Sequence, residues 1–145
     1  MNWIYKGEVF TPENVNSLHG FIYKITYELD NSEYTYYGKK NFNSITKKNL
    51  GKKELALITD KRLKTYKTIK KESDWKKYSG SCKDIRLESM VMVEKEILKI
   101  IPQEDNCKTN LTYWETFFLM LNNVLMDDYS LNGNILGKFY KGRIK

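Results

Sequence analysis

The sequence predicts a small α+β domain, a three-stranded antiparallel sheet flanked by helices, and three patterns lead to it. Apolar and aromatic positions spaced by two flank the polar cluster Asp30-Asn31-Ser32-Glu33, as in a hairpin. The run Val91 to Ile101 is rich in β-branched residues and stops at Pro102. Leu111, Trp114, Phe117, Phe118, Leu121 and Leu125 recur at helical intervals. The order β-β-α-β-α follows, with all elements around one antiparallel sheet. A chain of 145 residues, 41% hydrophobic and 14% aromatic, is about one domain's worth and can bury a single core.

The elements follow in order. Residues 1–19 read as an N-terminal extension in which Trp3, Ile4 and Tyr5 pack on the domain, and residues 20–145 form the domain itself. Residues 21–29 and 34–38 make the hairpin. From about Lys52 to Lys71 the spacing of Leu55, Ile58, Tyr66 and Ile69 predicts a helix. Arg62 lies four residues after Ile58 and four before Tyr66, so its side chain is expected to lean inward. Asp74 to Ser81 reads as a loop. Residues 91–101 form the third strand, with a helix as the alternative because Glu94-Lys95-Glu96 suits one. The last helix starts at Thr109 or Thr112 and runs to Met126; Asn132-Gly133 and Gly137 mark turns in the tail.

Composition removes several classes of chemistry. Cys82 and Cys107 are far apart and form no CxxC, so neither a zinc site nor a disulfide framework is indicated. His19 is the only histidine, fewer imidazoles than nearly all zinc hydrolases, histidine-metal nucleases and Ser-His or Cys-His triads need. No apolar run approaches the ~18 residues of a membrane span, and Met1 to Lys6 lacks the pattern of a signal peptide. A cytoplasmic protein without a membrane partner is expected.

Charge is concentrated. Residues 39–77 hold fourteen Lys and Arg against four Asp and Glu, a local balance of +10, while the whole chain is +7. Such a run is either a solvated lysine face or a polyanion-binding surface. Tyr66, Trp75 and Tyr78, interleaved with the lysines, favour nucleic acid, because aromatic rings pack on sugar or base while ammonium groups neutralise phosphate. Only Arg62, Arg86 and Arg143 are arginines, so the segment suits backbone affinity better than the reading of base edges.

Phe21-Ile22-Tyr23 and Tyr36-Tyr37-Gly38 put two tyrosines on adjacent strands of the hairpin. The pair resembles the motifs of the GIY-YIG nucleases, with Phe21 in place of the usual glycine and Tyr37 in place of isoleucine. Read from packing alone, Tyr23 and Tyr36 are ordinary strand aromatics, and Thr112-Tyr113-Trp114-Glu115 is a capping box in which Glu115 satisfies an amide at a helix start. The resemblance, which covers about Phe21 to Tyr140, implies other roles. Glu115, followed by Thr116-Phe117-Phe118-Leu119, stands where that family has a metal-binding glutamate, and Mg²⁺ (or Mn²⁺) is the implied cofactor. Tyr23 orients or deprotonates water and Tyr36 assists. A phenol of pKa ~10 is a poor base at neutral pH, so Lys39 and Lys40, just after the second motif, are expected to help it. Arg62 is the candidate for the family's phosphate-binding arginine, chosen for its inward register; the nearer positions offer lysines, Lys47, Lys48, Lys52 and Lys53 among them. Lys76, Lys77, Tyr78, Ser79 and Ser81 are similar to a Tyr-x-Gly-Ser segment that presents donors to phosphate, although a plain surface turn is equally compatible. Asn134, with Asn132 as the alternative, corresponds to a late asparagine that buttresses the site.

These features together lead to a Mg²⁺-dependent DNA endonuclease acting by one-metal, in-line attack, phage-encoded and monomeric or oligomeric. Two other readings compete: a non-catalytic nucleic-acid-binding module that kept the fold, and a PD-(D/E)xK nuclease using Asp74-Trp75-Lys76.

Overall fold

The computed structural model describes residues 1–60 and 62–145. Its elements are β1 (Trp3–Tyr5), β2 (Glu8–Val9), β3 (Leu18–Leu29), β4 (Ser32–Asn41), β5 (Asn43–Asn49), α1 (Lys52–Ala56), β6 (Tyr66–Glu72), a 3-10 turn (Ile85–Ser89), β7 (Val91–Pro102), α2 (Cys107–Leu121), β8 (Asn134–Ile135) and β9 (Phe139–Tyr140). The domain is α+β, but its main sheet has five strands, in the order β2-β1-β7-β3-β4. Three of them, β7-β3-β4, are antiparallel neighbours as expected. The other two come from the N-terminal residues: β1 runs parallel to β7, with Trp3 opposite Lys95, and β2 folds back on β1.

The hairpin is longer and tighter than the sequence suggested. Strands β3 and β4 are joined by Asp30 and Asn31 alone, both with positive φ (50° and 65°). That is the conformation a two-residue type I′ connection demands, and Asp and Asn tolerate it better than other L residues. Ser32 and Glu33, expected in the turn, are already paired with Leu29 and Glu28.

Strand β3 is central, and its two faces bury different things. Phe21, Tyr23, Ile25 and Tyr27 point into an aromatic core completed by Trp3, Phe42 and Trp75. Ile22 points the other way and packs with Ile101, Cys107 and Leu111 under α2. Helix α2 begins at Cys107 and ends at Leu121, earlier at both ends than expected. At its C-terminus the Asn122 side-chain amide donates to the Phe118 carbonyl (2.8 Å) and Asn123 takes a left-handed φ of 49°, which closes the helix before Met126. Thr112 lies inside the helix, so the capping box does not form. The Thr112 carbonyl instead accepts from the Thr116 hydroxyl (2.8 Å), and Glu115 sits mid-helix.

The largest departure is residues 52–71. Only Lys52–Ala56 is helical, and Tyr66–Glu72 pairs with Asn43–Asn49 as a separate two-stranded sheet. Between Ile58 and Tyr66 the helix has ended and the Leu63 N–H donates to the Asp60 carbonyl (3.0 Å), so the helical spacing spans two unrelated pieces. The β-prone Tyr66, Thr68 and Ile69 find partners 17 to 23 residues earlier, at Asn49, Lys47 and Thr46, and that pairing overrides local periodicity. The inward lean of Arg62 is lost with the helix. Its side chain is 90% exposed, and the guanidinium donates to Asp60 (2.9 Å). Among the described residues, no helix is long and apolar enough to cross a membrane, and both cysteines are free.

Trp3 tests how far the first strand belongs to the core. It is 2% exposed and donates its indole N–H to the Trp75 carbonyl (2.7 Å). Trp3→Ala is expected to cost roughly 3–5 kcal/mol in urea unfolding. A loss below about 1 kcal/mol would mean that β1 is detachable.

Candidate active site at the rim of strand β4

Tyr23 is opposite Gly38 in the β3–β4 register, and Tyr36 is opposite Ile25, so the two tyrosines are diagonal neighbours, with ring centroids 6.4 Å apart. The Tyr23 ring lies flat beneath Gly38: a Cβ added there would sit 2.6 Å from Tyr23 Cζ and overlap the hydroxyl. Only glycine leaves that space, so the ring of a 1% exposed tyrosine can carry its hydroxyl out to β4, the edge strand.

The loop after β6 closes over the phenols. Gly80, with φ of 89°, approaches Tyr23 Oη and Tyr36 Cδ1, each 3.6 Å from where a Cβ would be. Tyr36 Oη and Ser81 Oγ share a hydrogen bond (3.2 Å), and the Tyr78 ring stands 5.9 Å from that of Tyr23. Lys40 holds this loop from one side, bonded to Asp74 (2.6 Å) and placed over the Tyr78 ring (4.2 Å). Lys95 holds it from below. Its buried ammonium donates to the Tyr78 carbonyl (2.6 Å) and lies 4.4 Å from the Trp3 ring, and burial pushes its pKa down. Sequence reading missed Lys95 because a strand-borne lysine among Glu94 and Glu96 looks like a solvated surface group.

Glu115 comes from α2, which packs on the Ile22 face of the sheet. Its carboxylate is near enough for its charge to raise the pKa values of both Tyr23 and Tyr36. Burial raises its own pKa, opposed by the Lys39 ammonium. Lys39 is exposed and donates to the Thr112 hydroxyl, one turn before Glu115 (2.9 Å). Among the described residues no salt bridge reaches Glu115, so a half-buried carboxylate stands within electrostatic range of the phenols without an ionic partner. Both phenols are pushed up chiefly by burial; for Tyr23 the adjacent Tyr78 adds to this, and for Tyr36 the Ser81 hydrogen bond opposes it.

The remaining edge of β4 is closed by the C-terminal segment. Thr35 donates to the Tyr129 carbonyl (3.0 Å) and accepts from Leu131 N–H (2.8 Å). The Asn132 side chain then imitates a strand residue, its Oδ1 accepting from Tyr37 N–H (2.9 Å) and its Nδ2 donating to Tyr37 carbonyl (2.8 Å). Asn132, 5% exposed, thus holds the backbone of Tyr37, the position expected of a buttress. Asn134 is exposed in β8, accepting only from Gly137 N–H.

Over residues 3–144 the chain matches a family model described as "Putative endonuclease segE, GIY-YIG domain". The chain belongs to this GIY-YIG family. No curated protein and no solved structure matches it significantly. The family's two motifs account for unequal parts of the site. Gly38 is required by the Tyr23 ring, whereas Phe21, in the glycine position, is accommodated because β1 and the β4–β5 junction supply a wall: its ring is 5.0 Å from those of Trp3 and Phe42. Beneath the loop Tyr36 meets Ser81, Tyr23 meets Tyr78, and Lys40 lies over Tyr78; the Ser79 carbonyl accepts from Tyr27, and Lys39 sits on the α2 side with Thr112, beside Glu115. Lys76 and Lys77 are exposed on the adjoining loop, Lys76 within 3.8 Å of Glu72. Arg62, Lys47, Lys48, Lys52 and Lys53 lie elsewhere, along or beyond the β5–β6 ribbon. Asp74, offered above to a PD-(D/E)xK site, is exposed and occupied by Lys40.

Among the described residues no three His, Cys, Asp or Glu side chains gather in a metal cage. A lone carboxylate beside hydroxyls suits Mg²⁺, which keeps several waters and takes substrate phosphate oxygens as ligands, and does not suit structural zinc.

Two outcomes are expected. Asn132→Ala leaves a buried donor and acceptor of Tyr37 unpaired and costs about 1–3 kcal/mol, while Asn134→Ala changes stability by less than about 0.5 kcal/mol; equal effects would contradict the buttress. Glu115 with a raised folded pKa contributes stability that is complete below its unfolded pKa of ~4.3 and is lost as pH rises through the folded value. Glu115→Gln should therefore melt above the wild type at neutral pH, with the gap closing as pH falls below about 4. A gap independent of pH would show that the carboxylate is not desolvated.

Proposed function

We propose that the protein is a Mg²⁺-dependent endonuclease that hydrolyses DNA phosphodiesters by one-metal, in-line attack at the rim of β4. Family membership supports a nuclease acting on nucleic acid. The observation behind the finer reading is that the Glu115 carboxylate, with no salt-bridge partner among the described residues, lies close enough to the paired phenols Tyr23 and Tyr36 to act on both electrostatically.

Glu115 would hold the cation, whose positive charge would offset the cost of burying the carboxylate. When bound, Mg²⁺ would polarise the scissile phosphate and stabilise the leaving oxygen. Lys39, the cation beside Glu115, is better placed than Arg62 to neutralise the phosphate. Tyr23 keeps its proton, because burial and the Glu115 charge both disfavour phenolate. Its hydroxyl is thus assigned to orient the attacking water by a hydrogen bond rather than to act as a resident base, with Tyr36 and Ser81 fixing the neighbouring wall. Lys40, Tyr78 and Ser79 would line the path of the strand. The lysine- and asparagine-rich, arginine-poor composition is consistent with an AT-rich phage genome and a host-cytoplasmic site of action.

Supercoiled plasmid and Mg²⁺ test this. Wild type should nick, and Glu115→Ala should lose cutting by about a hundredfold or more while binding DNA as before. Tyr23→Phe should lower kcat more than KM. Mg²⁺ should raise the melting temperature of the wild type and not of Glu115→Gln. Steep salt-dependent binding without nicking in any divalent cation would establish the non-catalytic binding module instead.

A further inference from the structure

We infer that the β5–β6 ribbon is an arm that lies in the major groove of B-form duplex DNA beside the scissile phosphate. The arm rests on the DNA substrate proposed above, but its own evidence is separate.

Residues 43–72 carry ten Lys and Arg against three Asp and Glu, a balance of +7, which is the whole formal charge of the chain; the other residues balance fifteen to fifteen. The fold does little to neutralise this. Among the described residues Lys67 pairs with Glu54 and Arg62 with Asp60, while no salt bridge reaches Lys47, Lys48, Lys70 or Lys71. Lys48 is even placed directly opposite Lys67 across the ribbon, a like-charge pair that destabilises an isolated sheet. Both faces are exposed, including Ile45 at 61% and Ile69 at 40%. A lone two-stranded hairpin is marginal in water, so this one is built for a polyanionic partner.

Dimensions choose the groove. Two strands with side chains on both faces make a ribbon about 10 Å thick, which enters the ~12 Å major groove of B-DNA and not its ~6 Å minor groove. The deep, narrow major groove of A-form RNA excludes it as well. Position fits too. The arm leaves the core directly after β4 and returns directly before the loop over Tyr23. Its root is pinned by Ser73 N–H to the Phe42 carbonyl (2.9 Å), by the Ser73 hydroxyl to the Asn41 carbonyl (2.7 Å) and by Lys40 to Asp74. Each strand has seven residues, so the ribbon extends roughly 20 Å from that root, over half a turn of duplex. Lysines without arginine forks hold phosphates along the groove walls and leave base edges unread.

The test uses protein carrying Glu115→Ala, so that DNA is not consumed, with and without Lys47, Lys48, Lys70 and Lys71→Ala. On a 20-bp duplex (about two turns of B-DNA), the arm substitutions should weaken binding on the order of a hundredfold near 0.1 M salt and flatten the log K against log salt slope by about 3 to 4. Guanine N7 atoms, which face the major groove, should be shielded from dimethyl sulfate by protein with the arm intact. That measurement needs no arm variant, so misfolding of the ribbon cannot decide the result. Unchanged affinity and slope, open N7 atoms in a saturated complex, or equal affinity for duplex RNA of the same sequence would each overturn the inference. Shielding by an otherwise wild-type protein that never nicks DNA would keep the arm and remove the nuclease.

Discussion

The site depends on one cross-strand pair, the Tyr23 ring lying across the backbone of Gly38. Any side chain at position 38 would collide with the ring, and without the ring in that slot the hydroxyl could not leave the core for the sheet edge. The pair also explains why a fully buried tyrosine has its polar end beneath the loop at the edge strand. Its apolar body joins Trp3 and Phe21 in the aromatic core, and its hydroxyl meets Tyr36, Tyr78 and the charge of Glu115. Burial of the body is what raises the phenol pKa, so the packing that positions Tyr23 also keeps it protonated.

Around that pair the molecule guards one stretch of edge strand and leaves the next open. An exposed edge invites pairing with other chains, and residues 129–132 cap β4 as far as Tyr37, partly with backbone and partly with the amide of Asn132. The rim from Gly38 onward is bounded by the loop that Lys40 and Lys95 hold. Lys95 is a costly device. A buried ammonium needs its carbonyl partners, and it finds them in the loop that carries Tyr78 to Ser81, so the desolvated charge fixes the loop's height above the sheet.

The basic segment shows how much a charge count leaves undecided. Fourteen cations between residues 39 and 77 are visible in the sequence, yet they divide into two populations. Lys39 and Lys40 are bonded to α2 and to the loop after β6 at the edge of the main sheet, while Lys47, Lys48 and their neighbours ride on a projecting ribbon. Local periodicity around Leu55 and Ile69 resembled a helix because 3.6-residue spacing arises by chance in a mixed polar segment. Pairing with Asn43–Asn49 satisfied a row of backbone donors and acceptors that a broken helix could not. Arg62 went with it, from an expected inward position to the exposed surface.

Sequence alone determined what was local: the alternation that makes β3 and β4, the β-branched run of β7, the helical stripe that carries Glu115, and the tyrosine-glycine spacing by which the GIY-YIG family is recognised. Each depends on neighbours a few residues away, which is the range over which propensity and periodicity act. Tertiary structure decided the rest. Only folding set β1 parallel to β7, sank Lys95 beneath a loop 17 residues before it, gave Asn132 rather than Asn134 the backbone of Tyr37, and separated Arg62 from the cleft. Those outcomes are settled by contacts between distant segments competing to bury apolar surface and pair every buried polar group, and no window of neighbouring residues contains that competition.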